Sequence, residues 1–264
     1  MDPCLTNKVA LVTGGSSGIG LGIAQALVDA GVHVAIASRS HDAQVTQSLR
    51  AAGGTVLEVY ADVSREADVI RMVRETVEGL GGLDLFVNNA AQALHQPLTR
   101  IDADAFHKIV GPNPAAGVWG CREAAKSFIA NGKPGAILVV GSTSMYTPGP
   151  TETVYRMTKA GLKSLVQSIA VELAPHGIRA NLLVPGHYRT RLTAGLSTEI
   201  EERLTHQIPM RRFGETSDCG NAAVFLLSPT LARYITGAEL VVDGGLSLRP
   251  LSFLTDGELA SLNR

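Results

Sequence analysis

The sequence predicts an α/β fold built on a parallel β-sheet, and two observations carry this prediction. Short runs rich in β-branched residues recur along the 264-residue chain, and most are apolar without alternation. Such runs are typical of strands buried on both faces of a parallel sheet. Stretches long enough for amphipathic helices separate them, and repeated strand–helix alternation indicates parallel strands joined by right-handed crossovers.

The predicted elements follow in chain order. The strands are Val9–Val12, Val32–Ala37, Thr55–Tyr60, Leu83–Val87, Ala136–Val140, Ile178–Val184 and Glu239–Val242. Apolar residues return at helical spacing in Ile19–Ala30, Arg65–Leu80 and Thr153–Leu173. No linker-like change of composition interrupts the chain, so we expect one domain over residues 1–264, with residues 248–264 as a short arm after the last strand.

Composition and charge exclude several classes of protein. Lys and Arg number 23 against 24 Asp and Glu, which argues against a chain held mainly to nucleic acid or an anionic membrane. The 3 cysteines lie far apart, so we expect reduced, structural thiols and no metal site. The chain shows no signal-peptide pattern and no apolar run of about 18 residues, so a soluble, cytoplasmic protein is expected.

Glycine is the most informative residue type. The chain has 28 glycines, about 11% against the usual ~7%. Several follow the first predicted strand, where residues 13–20 read TGGSSGIG. Glycines between a first strand and a first helix let the backbone approach a pyrophosphate at the helix N-terminus. The spacing differs from GxGxxG, and an ordinary turn is the alternative. The position favours a phosphate site at Gly14, Gly15, Ser16, Ser17, Gly18, Ile19 and Gly20.

The end of the second strand bears on the choice of cofactor. An Asp or Glu that reads a ribose 2′-hydroxyl is expected about 20 residues after the glycines, but the sequence has Ser38 and Arg39. A carboxylate repels a 2′-phosphate, whereas a guanidinium binds it through paired hydrogen bonds. The sequence therefore favours NADP(H) over NAD(H), with a solvated surface role for Arg39 as the alternative.

Tyr155 and Lys159 are candidates for proton transfer. They are four residues apart and share one face of the predicted helix. A free tyrosine has a pKa of about 10, and a nearby ammonium lowers that pKa by favouring the phenolate. Tyr155 is then a candidate general acid or base. Ser142 ends the fifth strand, where ligands bind in open α/β sheets, and its hydroxyl can orient a substrate oxygen; Thr143 and Ser144 are alternatives.

Taken together, these motifs resemble the short-chain dehydrogenase/reductase family. The resemblance rests on TGxxxGIG at residues 13–20, Asn88-Asn89-Ala90, Ser142, Tyr155-x-x-x-Lys159 and Pro185-Gly186, and it runs from about Lys8 to Leu246. It implies a Rossmann-type, doubly wound sheet of about seven strands in the order 3-2-1-4-5-6-7, with helices on both faces. It also implies an NAD(P) cofactor and a homotetramer or homodimer.

Further site residues are implied by the resemblance alone. Asp62 and Val63 match the pair that faces the adenine ring, and Asn89 and Ala90 match the turn that lines the adenosine ribose. Pro185 and Gly186 lie beside the nicotinamide, and Thr190 matches a threonine near its amide. Asp243-Gly244-Gly245 match a structural signature after the last strand. Asn113 completes a tetrad with Ser142, Tyr155 and Lys159, and residues 190–210 form a mobile substrate lid.

The sequence departs from the family pattern at three places. Ala91 stands where a glycine usually follows the Asn-Asn-Ala turn. Pro112 and Pro114 flank Asn113, and because proline removes a helical hydrogen bond, the helix there must break or bend. Ser17 replaces a basic residue that many NADP-using members carry, so NADP(H) binding depends more on Arg39.

The resemblance implies an NADP(H)-dependent carbonyl reductase or secondary-alcohol dehydrogenase acting on a small molecule. The alternatives are a 3-oxoacyl-carrier-protein reductase, a sugar or polyol dehydrogenase using NAD(H), and a catalytically silent NADP-binding regulatory protein. Candidate substrate contacts lie in residues 92–95, 143–146, 149–151 and 187–192. Four arginines either favour an anionic substrate or form a solvated face; they are Arg189, Arg191, Arg211 and Arg212.

Overall fold

The computed structural model describes residues 2–190, 193 and 195–248. The strands are β1 (Val9–Thr13), β2 (His33–Ser38), β3 (Val56–Tyr60), β4 (Leu85–Asn88), β5 (Ala136–Val140), β6 (Arg179–Pro185) and β7 (Glu239–Val242). The helices are α1 (Gly18–Asp29), α2 (Ala43–Ala51), α3 (Glu66–Leu80), α4 (Ala103–Val110), α5 (Ala116–Ala130), α6 (Thr153–Leu173), α7 (Thr198–Thr205) and α8 (Thr216–Leu227). The bounds of each strand and helix predicted from the sequence differ from the observed bounds by at most two residues.

The strands form one parallel sheet in the order β3-β2-β1-β4-β5-β6-β7, which confirms the predicted fold class. β1 pairs with β2 on one side and with β4 on the other. The connection therefore changes direction between β1 and β4. In open α/β sheets a ligand crevice opens at such a reversal, outside the carboxyl ends of the strands.

Helices cover both faces of the sheet, and each face has its own apolar core. Side chains from α3, α5 and α6 pack on one face, where Phe86, Phe128 and Leu162 are buried. Side chains from α1, α2 and α8 pack on the other, where Ile23 and Leu49 are fully buried. Both faces of the central strands are thereby removed from water, which explains their uninterrupted apolar sequences.

Two glycines allow α1 and α8 to pack backbone against backbone. A Cβ at Gly22 would lie 2.5 Å from the carbonyl oxygen of Thr216, and one at Gly220 would lie 2.6 Å from the carbonyl oxygen of Gly22. Backbone atoms cannot give way cheaply, so both positions need glycine. Part of the glycine excess is therefore structural and not related to a ligand.

The segment around Asn113 is interrupted as predicted. α4 and α5 are joined by a π-helical turn, Gly111–Ala115, which contains Pro112 and Pro114. The helical path does not end there, because α4, the π turn and α5 follow one another directly. Such π turns are frequent at functional sites.

Some expectations fall outside the described part of the chain. They are the predicted arm beyond Leu248 and, within the predicted lid, Arg191, Leu192 and Ala194. None of the described helices is both long and apolar enough to cross a bilayer.

Candidate active site

A cleft of about 850 Å³ opens along the carboxyl ends of the strands. Its volume lies in the upper part of the range for small-molecule and cofactor sites. Its wall contains most of the predicted site residues, namely Gly14, Ser16, Ser17, Gly18, Ile19, Gly20, Ser38, Arg39, Asp62, Val63, Asn89, Ala90, Ser142, Tyr155, Lys159, Pro185, Gly186 and Thr190. Of the predicted set, Gly15 and Asn113 do not line it.

The glycine turn presents backbone N–H groups to this cleft. Gly14 and Gly18 have φ values of +66° and +53°, which side chains with a Cβ rarely adopt. α1 begins at Gly18, and within the described part of the chain its N-cap, Ser17, makes no side-chain capping hydrogen bond. The first N–H groups of a helix have no partner inside the helix. The first N–H groups of α1 can therefore donate to a ligand, and an anion is the ligand that helix N-termini favour.

Asn89 fixes the glycine turn to the end of β4. Its Nδ2 donates to the carbonyl oxygen of Thr13 at 2.9 Å, and the Thr13 hydroxyl accepts from the N–H groups of Asn89 and Ala90 at 2.9 and 3.0 Å. Asn89 and Ala90 therefore hold the end of β1 in position as well as lining the cleft. Gly15 packs against Ile36, where a Cβ would lie 2.8 Å from a methyl carbon.

Arg39, the residue directly after β2, places a guanidinium in the cleft wall. Arg39 is exposed, and among the described residues no carboxylate pairs with it. The neighbouring Ser38 hydroxyl donates to the carbonyl oxygen of Ser40 at 2.5 Å, which holds the loop after β2. The third strand brings Asp62 beside this loop, since the N–H of Ala61 donates to the carbonyl oxygen of Ser38 at 2.9 Å.

Lys159 is buried in the floor of the cleft. Its ammonium donates to the carbonyl oxygen of Val140, the last residue of β5, at 2.9 Å. It lies 5.9 Å from the centre of the Tyr155 ring. Burial lowers the pKa of Lys159 from 10.5 to about 8, because desolvation disfavours the charged form.

Ser142 and Tyr155 complete the cluster at the end of β5. The Ser142 hydroxyl accepts from the Ser144 hydroxyl at 2.9 Å. Burial raises the pKa of the Tyr155 hydroxyl, and hydrogen bonding with Ser142 lowers it in part. Desolvation, and not the lysine effect expected from the sequence, is therefore the dominant influence on the pKa of Tyr155.

Asn113 lies behind the cleft wall rather than in it. Its side chain is 1% exposed, and its Oδ1 accepts from the N–H of Gln92 at 2.8 Å. Its Nδ2 donates to the Gln92 carbonyl and to the Thr158 hydroxyl, both at 3.0 Å. Thr158 in turn donates to the carbonyl oxygen of Tyr155 at 2.7 Å. Asn113 thus connects the loop after β4 to the helix that carries Tyr155.

Pro185, Gly186 and Thr190 form the wall next to β6. A Cβ at Gly186 would lie 2.7 Å from the Cβ of Asp243, so the strand end needs glycine here. The Asp243 carboxylate accepts from the N–H groups of Gly245 and Ser247 at 2.8 and 2.7 Å. The signature after the last strand therefore shapes a turn that packs behind Gly186.

Sequence reasoning did not single out His107 and Lys108 as cleft residues, nor Glu152 and Arg156, which contact each other near the predicted substrate residue His95. His107 and Lys108, on α4, also line the cleft; the helical pattern of that segment was the available signal. The second group is a polar cluster beside Tyr155, in which Glu152 lies 3.6 Å from His95 and 2.5 Å from Arg156. Glu152 precedes Tyr155 by one helical turn, which the spacing could have indicated.

Of the predicted arginines, Arg189 and Arg212 contact carboxylates, and Arg211 donates to the carbonyl oxygen of His206. Arg189 contacts Glu201 at 2.9 Å and Glu215 at 3.4 Å, and Arg212 contacts Asp218 at 3.0 Å. Of the two interpretations, these contacts favour the solvated face. Across the described residues, no group of three or more His, Cys, Asp or Glu side chains is placed to hold a metal ion.

Comparisons with known proteins agree with this geometry. A family model described as enoyl-(acyl carrier protein) reductase matches residues 14–247. L-rhamnose 1-dehydrogenase (NAD(P)(+)) of Azotobacter vinelandii is 36% identical over 92% of this chain and 97% of its own length. A 3-oxoacyl-[acyl-carrier-protein] reductase of Staphylococcus aureus is 35% identical over 90% and 98%.

A solved structure extends the similarity to three dimensions. It is that of a gluconate 5-dehydrogenase from Burkholderia cenocepacia in complex with NADP and tartrate, with a TM-score of 0.87 at 29% identity, and the match covers 94% of this chain and 98% of that chain. The family match covers nearly the same span as the resemblance recognised in the motifs. The chain belongs to the short-chain dehydrogenase/reductase family and is an NAD(P)-linked oxidoreductase of CH–OH and C=O groups.

Proposed function

We propose that this protein is an NADP(H)-dependent oxidoreductase that interconverts a ketone and a secondary alcohol, with Tyr155 as the general acid and base. One observation carries the proposal. Ser142, Tyr155 and Lys159 lie together at the end of β5, in the wall of the cleft that also contains the glycine turn. A dinucleotide held by that turn would extend along the cleft to the tyrosine.

The residues of the cleft suit a dinucleotide. The first turn of α1 offers N–H groups to a pyrophosphate, and Asp62 and Val63 line the cleft near the end of β3, where an adenosine would lie. Pro185, Gly186 and Thr190 would flank the nicotinamide at the other end. When bound, the nicotinamide supplies or accepts the hydride.

The side chains of this protein would then handle the proton and the substrate oxygen. Tyr155 gives its proton to a carbonyl oxygen or takes one from an alcohol, and Ser142 holds that oxygen by a hydrogen bond. Lys159 places a positive charge beneath the tyrosine ring and stabilises the phenolate. Positioned proton transfer of this kind is worth about 10²–10⁴ in rate. Asn113 contributes indirectly, because its side chain holds Gln92 and Thr158 in position by hydrogen bonds.

The preference for NADP(H) rests on Arg39. Its guanidinium stands where an acidic ribose reader would stand in an NAD-selective site, and no carboxylate within the described residues neutralises it. One similar structure contains NADP and one relative is named for both cofactors. Use of NAD(H) remains the alternative.

Three other functions are weighed against this one. The relatives include a sugar dehydrogenase and a 3-oxoacyl-carrier-protein reductase, so both substrate classes fit the same chemistry. A silent cofactor-binding protein is disfavoured, because Ser142, Tyr155 and Lys159 are all present in the cleft wall. We also propose a cytoplasmic homotetramer or homodimer of one domain, with residues 190–210 as a substrate lid.

Replacement of Tyr155 by Phe tests the proposal. With a panel of ketones, Tyr155→Phe should oxidise NADPH about 10²–10⁴-fold more slowly than the unaltered protein, while NADPH fluorescence shows retained binding. Tyr234, which is fully exposed near the amino ends of the strands, provides the matched control as Tyr234→Phe. Equal turnover in Tyr155→Phe, or no NADPH oxidation by the unaltered protein with any ketone, would contradict the proposal.

A further inference from the structure

Ser142 lies at the start of a short 3₁₀ turn, Thr143–Met145, which follows the end of β5. Its hydroxyl oxygen accepts two hydrogen bonds, and both come from Ser144. The N–H of Ser144 donates at 3.2 Å, and the hydroxyl of Ser144 donates at 2.9 Å. A hydroxyl has two lone pairs and one proton. Both acceptor positions of Ser142 are therefore occupied, and its proton remains available for another acceptor.

The free proton of Ser142 suits the oxygen of Tyr155 and the oxygen of a bound substrate. Ser142 and Tyr155 both line the cleft, whereas Ser144 does not. Among the described residues, the Ser142 hydroxyl donates to no backbone carbonyl and to no carboxylate. Hydrogen bonding with Ser142 also lowers the pKa of Tyr155, as expected of a donor that favours the phenolate. Ser142 therefore acts towards the cleft as a donor.

The occupied lone pairs of Ser142 also bear on the proton of Tyr155. If one acceptor position of Ser142 were open, the Tyr155 hydroxyl could donate to it, and a carbonyl oxygen would have to displace that bond. Because Ser144 fills both positions, a substrate oxygen meets no competition from Ser142 for the proton of Tyr155. The hydroxyls of Ser142 and Tyr155 can then both donate to the same substrate oxygen.

Arg156 holds Ser144 in place from the helix that carries Tyr155. Its Nη1 donates to the carbonyl oxygen of Ser144 at 3.2 Å and to the carbonyl oxygen of Thr147. Arg156 follows Tyr155 directly in α6. A side chain of α6 therefore fixes the loop that contains Ser144, and this contact keeps Ser144 in register with both Ser142 and Tyr155.

We infer, on the basis of the proposed function, that Ser144 is a positioning residue, which fixes Ser142 as a hydrogen-bond donor to the substrate oxygen and reserves the Tyr155 proton for that oxygen. As hydride reaches the carbonyl carbon, negative charge develops on the oxygen, which takes the proton of Tyr155 and accepts a hydrogen bond from Ser142. Donors that are already oriented stabilise such charge without reorganisation. The bond from Ser144 also polarises the Ser142 hydroxyl and strengthens it as a donor.

Removal of the Ser144 hydroxyl tests this inference. Ser144→Ala keeps the N–H and removes one of the two donors, Ser144→Thr restores a hydroxyl, and Ser48→Ala, at an exposed position on α2, is the control. The probes are cyclohexanone, ethyl acetoacetate and dihydroxyacetone; the one with the highest kcat/KM, and its alcohol, serve for all variants. We expect kcat of Ser144→Ala to fall about tenfold in both directions with KM unchanged, and the other two variants to keep the original kcat.

The pH profile separates positioning from a general structural effect. In alcohol oxidation the Tyr155 phenolate is the base, so kcat/KM rises with pH through the pKa of Tyr155. Loss of the fixed donor should raise that pKa in Ser144→Ala and move the profile to higher pH, while NADPH fluorescence shows retained binding. An unchanged kcat or profile in Ser144→Ala, a loss confined to KM, or a loss that Ser144→Thr does not restore overturns the inference and leaves the proposed function intact. No turnover of any probe by the unaltered protein overturns both.

Discussion

The ammonium of Lys159 donates a hydrogen bond to the carbonyl oxygen of Val140 at 2.9 Å, which ties α6 to the last residue of β5. Both groups are buried. The bond fixes the lysine beside the Tyr155 ring, with its ammonium 5.9 Å from the ring centre. The same burial makes the charged form costly, and this cost is measurable.

The buried lysine should make stability depend on pH. Its pKa falls from 10.5 in the unfolded chain to about 8 in the folded protein. Between these values the unfolded chain binds one more proton here, so this residue makes the free energy of unfolding rise with pH by about 3 kcal/mol. Below pH 8 the full cost of burying the ammonium is present. Urea unfolding of the cofactor-free protein and of Lys159→Met, from pH 7.5 to 10.5, measures the difference.

Subtracting the Lys159→Met curve removes the contributions of other groups that titrate in this range. Burial raises the pKa of Cys121 to about 12 and that of Cys219 to about 11, but both cysteines are common to the two proteins. Lys133→Met, at an exposed position, measures the effect of losing a lysine outside the core. A flat difference between the unaltered protein and Lys159→Met would show that the ammonium is not buried.

Gly20 should be irreplaceable in the phosphate turn. A Cβ there would collide with the carbonyl oxygen of Gly14 and with the amide of Asn89, and the backbone atom cannot move without opening the turn. We expect Gly20→Ala to lose about 2 kcal/mol or more of stability, in the range of overpacking, and to weaken NADPH binding. Thermal unfolding and fluorescence titration measure the two effects.

A second glycine provides the contrast. Gly161 lies in α6, and a Cβ there would meet nothing within 4 Å. Gly161→Ala should therefore raise stability by about 0.5–1 kcal/mol, since alanine has the higher helix propensity. If Gly20→Ala behaves like Gly161→Ala, the steric account of the turn is wrong.

The sequence was most informative where a structural constraint is local. Buried parallel strands must be apolar on both faces, so runs such as Ala136–Val140 predict strand bounds directly. Helical spacing alone places Tyr155 and Lys159 on one face. The glycine turn could be predicted because Gly14 and Gly18 adopt backbone conformations that other residues rarely adopt.

Contacts between distant segments could not be predicted in the same way. The contact of Glu152 with His95 depends on how two loops meet. The hydrogen bond of Lys159 joins it to the carbonyl oxygen of Val140, nineteen residues earlier in the chain. The prolines beside Asn113 indicated a break or bend in the helix, but nothing in the sequence indicated a π turn, with the asparagine buried behind Gln92.

Arg39 should control the choice between the two cofactors. Arg39→Asp removes a guanidinium and adds a charge that repels a 2′-phosphate, while it supplies an acceptor for a ribose hydroxyl. We expect the ratio of kcat/KM for NADPH to that for NADH to fall by about 100-fold, in line with the loss of a charge-assisted hydrogen bond. Arg233→Asp, at an exposed position on the opposite edge of the sheet, is the charge control. An unchanged ratio would leave Arg39 as a solvated surface residue.

Asn113 should act on activity through structure rather than by contact with substrate. Asn113→Ala removes three hydrogen bonds and leaves the N–H and carbonyl of Gln92 without their partner, so we expect a loss of about 2–4 kcal/mol of stability. Asn113→Asp keeps the acceptor for the Gln92 N–H but places a carboxylate against the Gln92 carbonyl, and should be at least as destabilising. Urea unfolding measures both, with Asn131→Ala at an exposed helix end as control. The same contacts predict an effect on activity. Because Gln92 lines the cleft and Thr158 donates to the Tyr155 carbonyl oxygen, kcat should fall together with the free energy of unfolding. A fall in kcat at unchanged stability in Asn113→Ala would instead assign the asparagine a direct part in proton transfer.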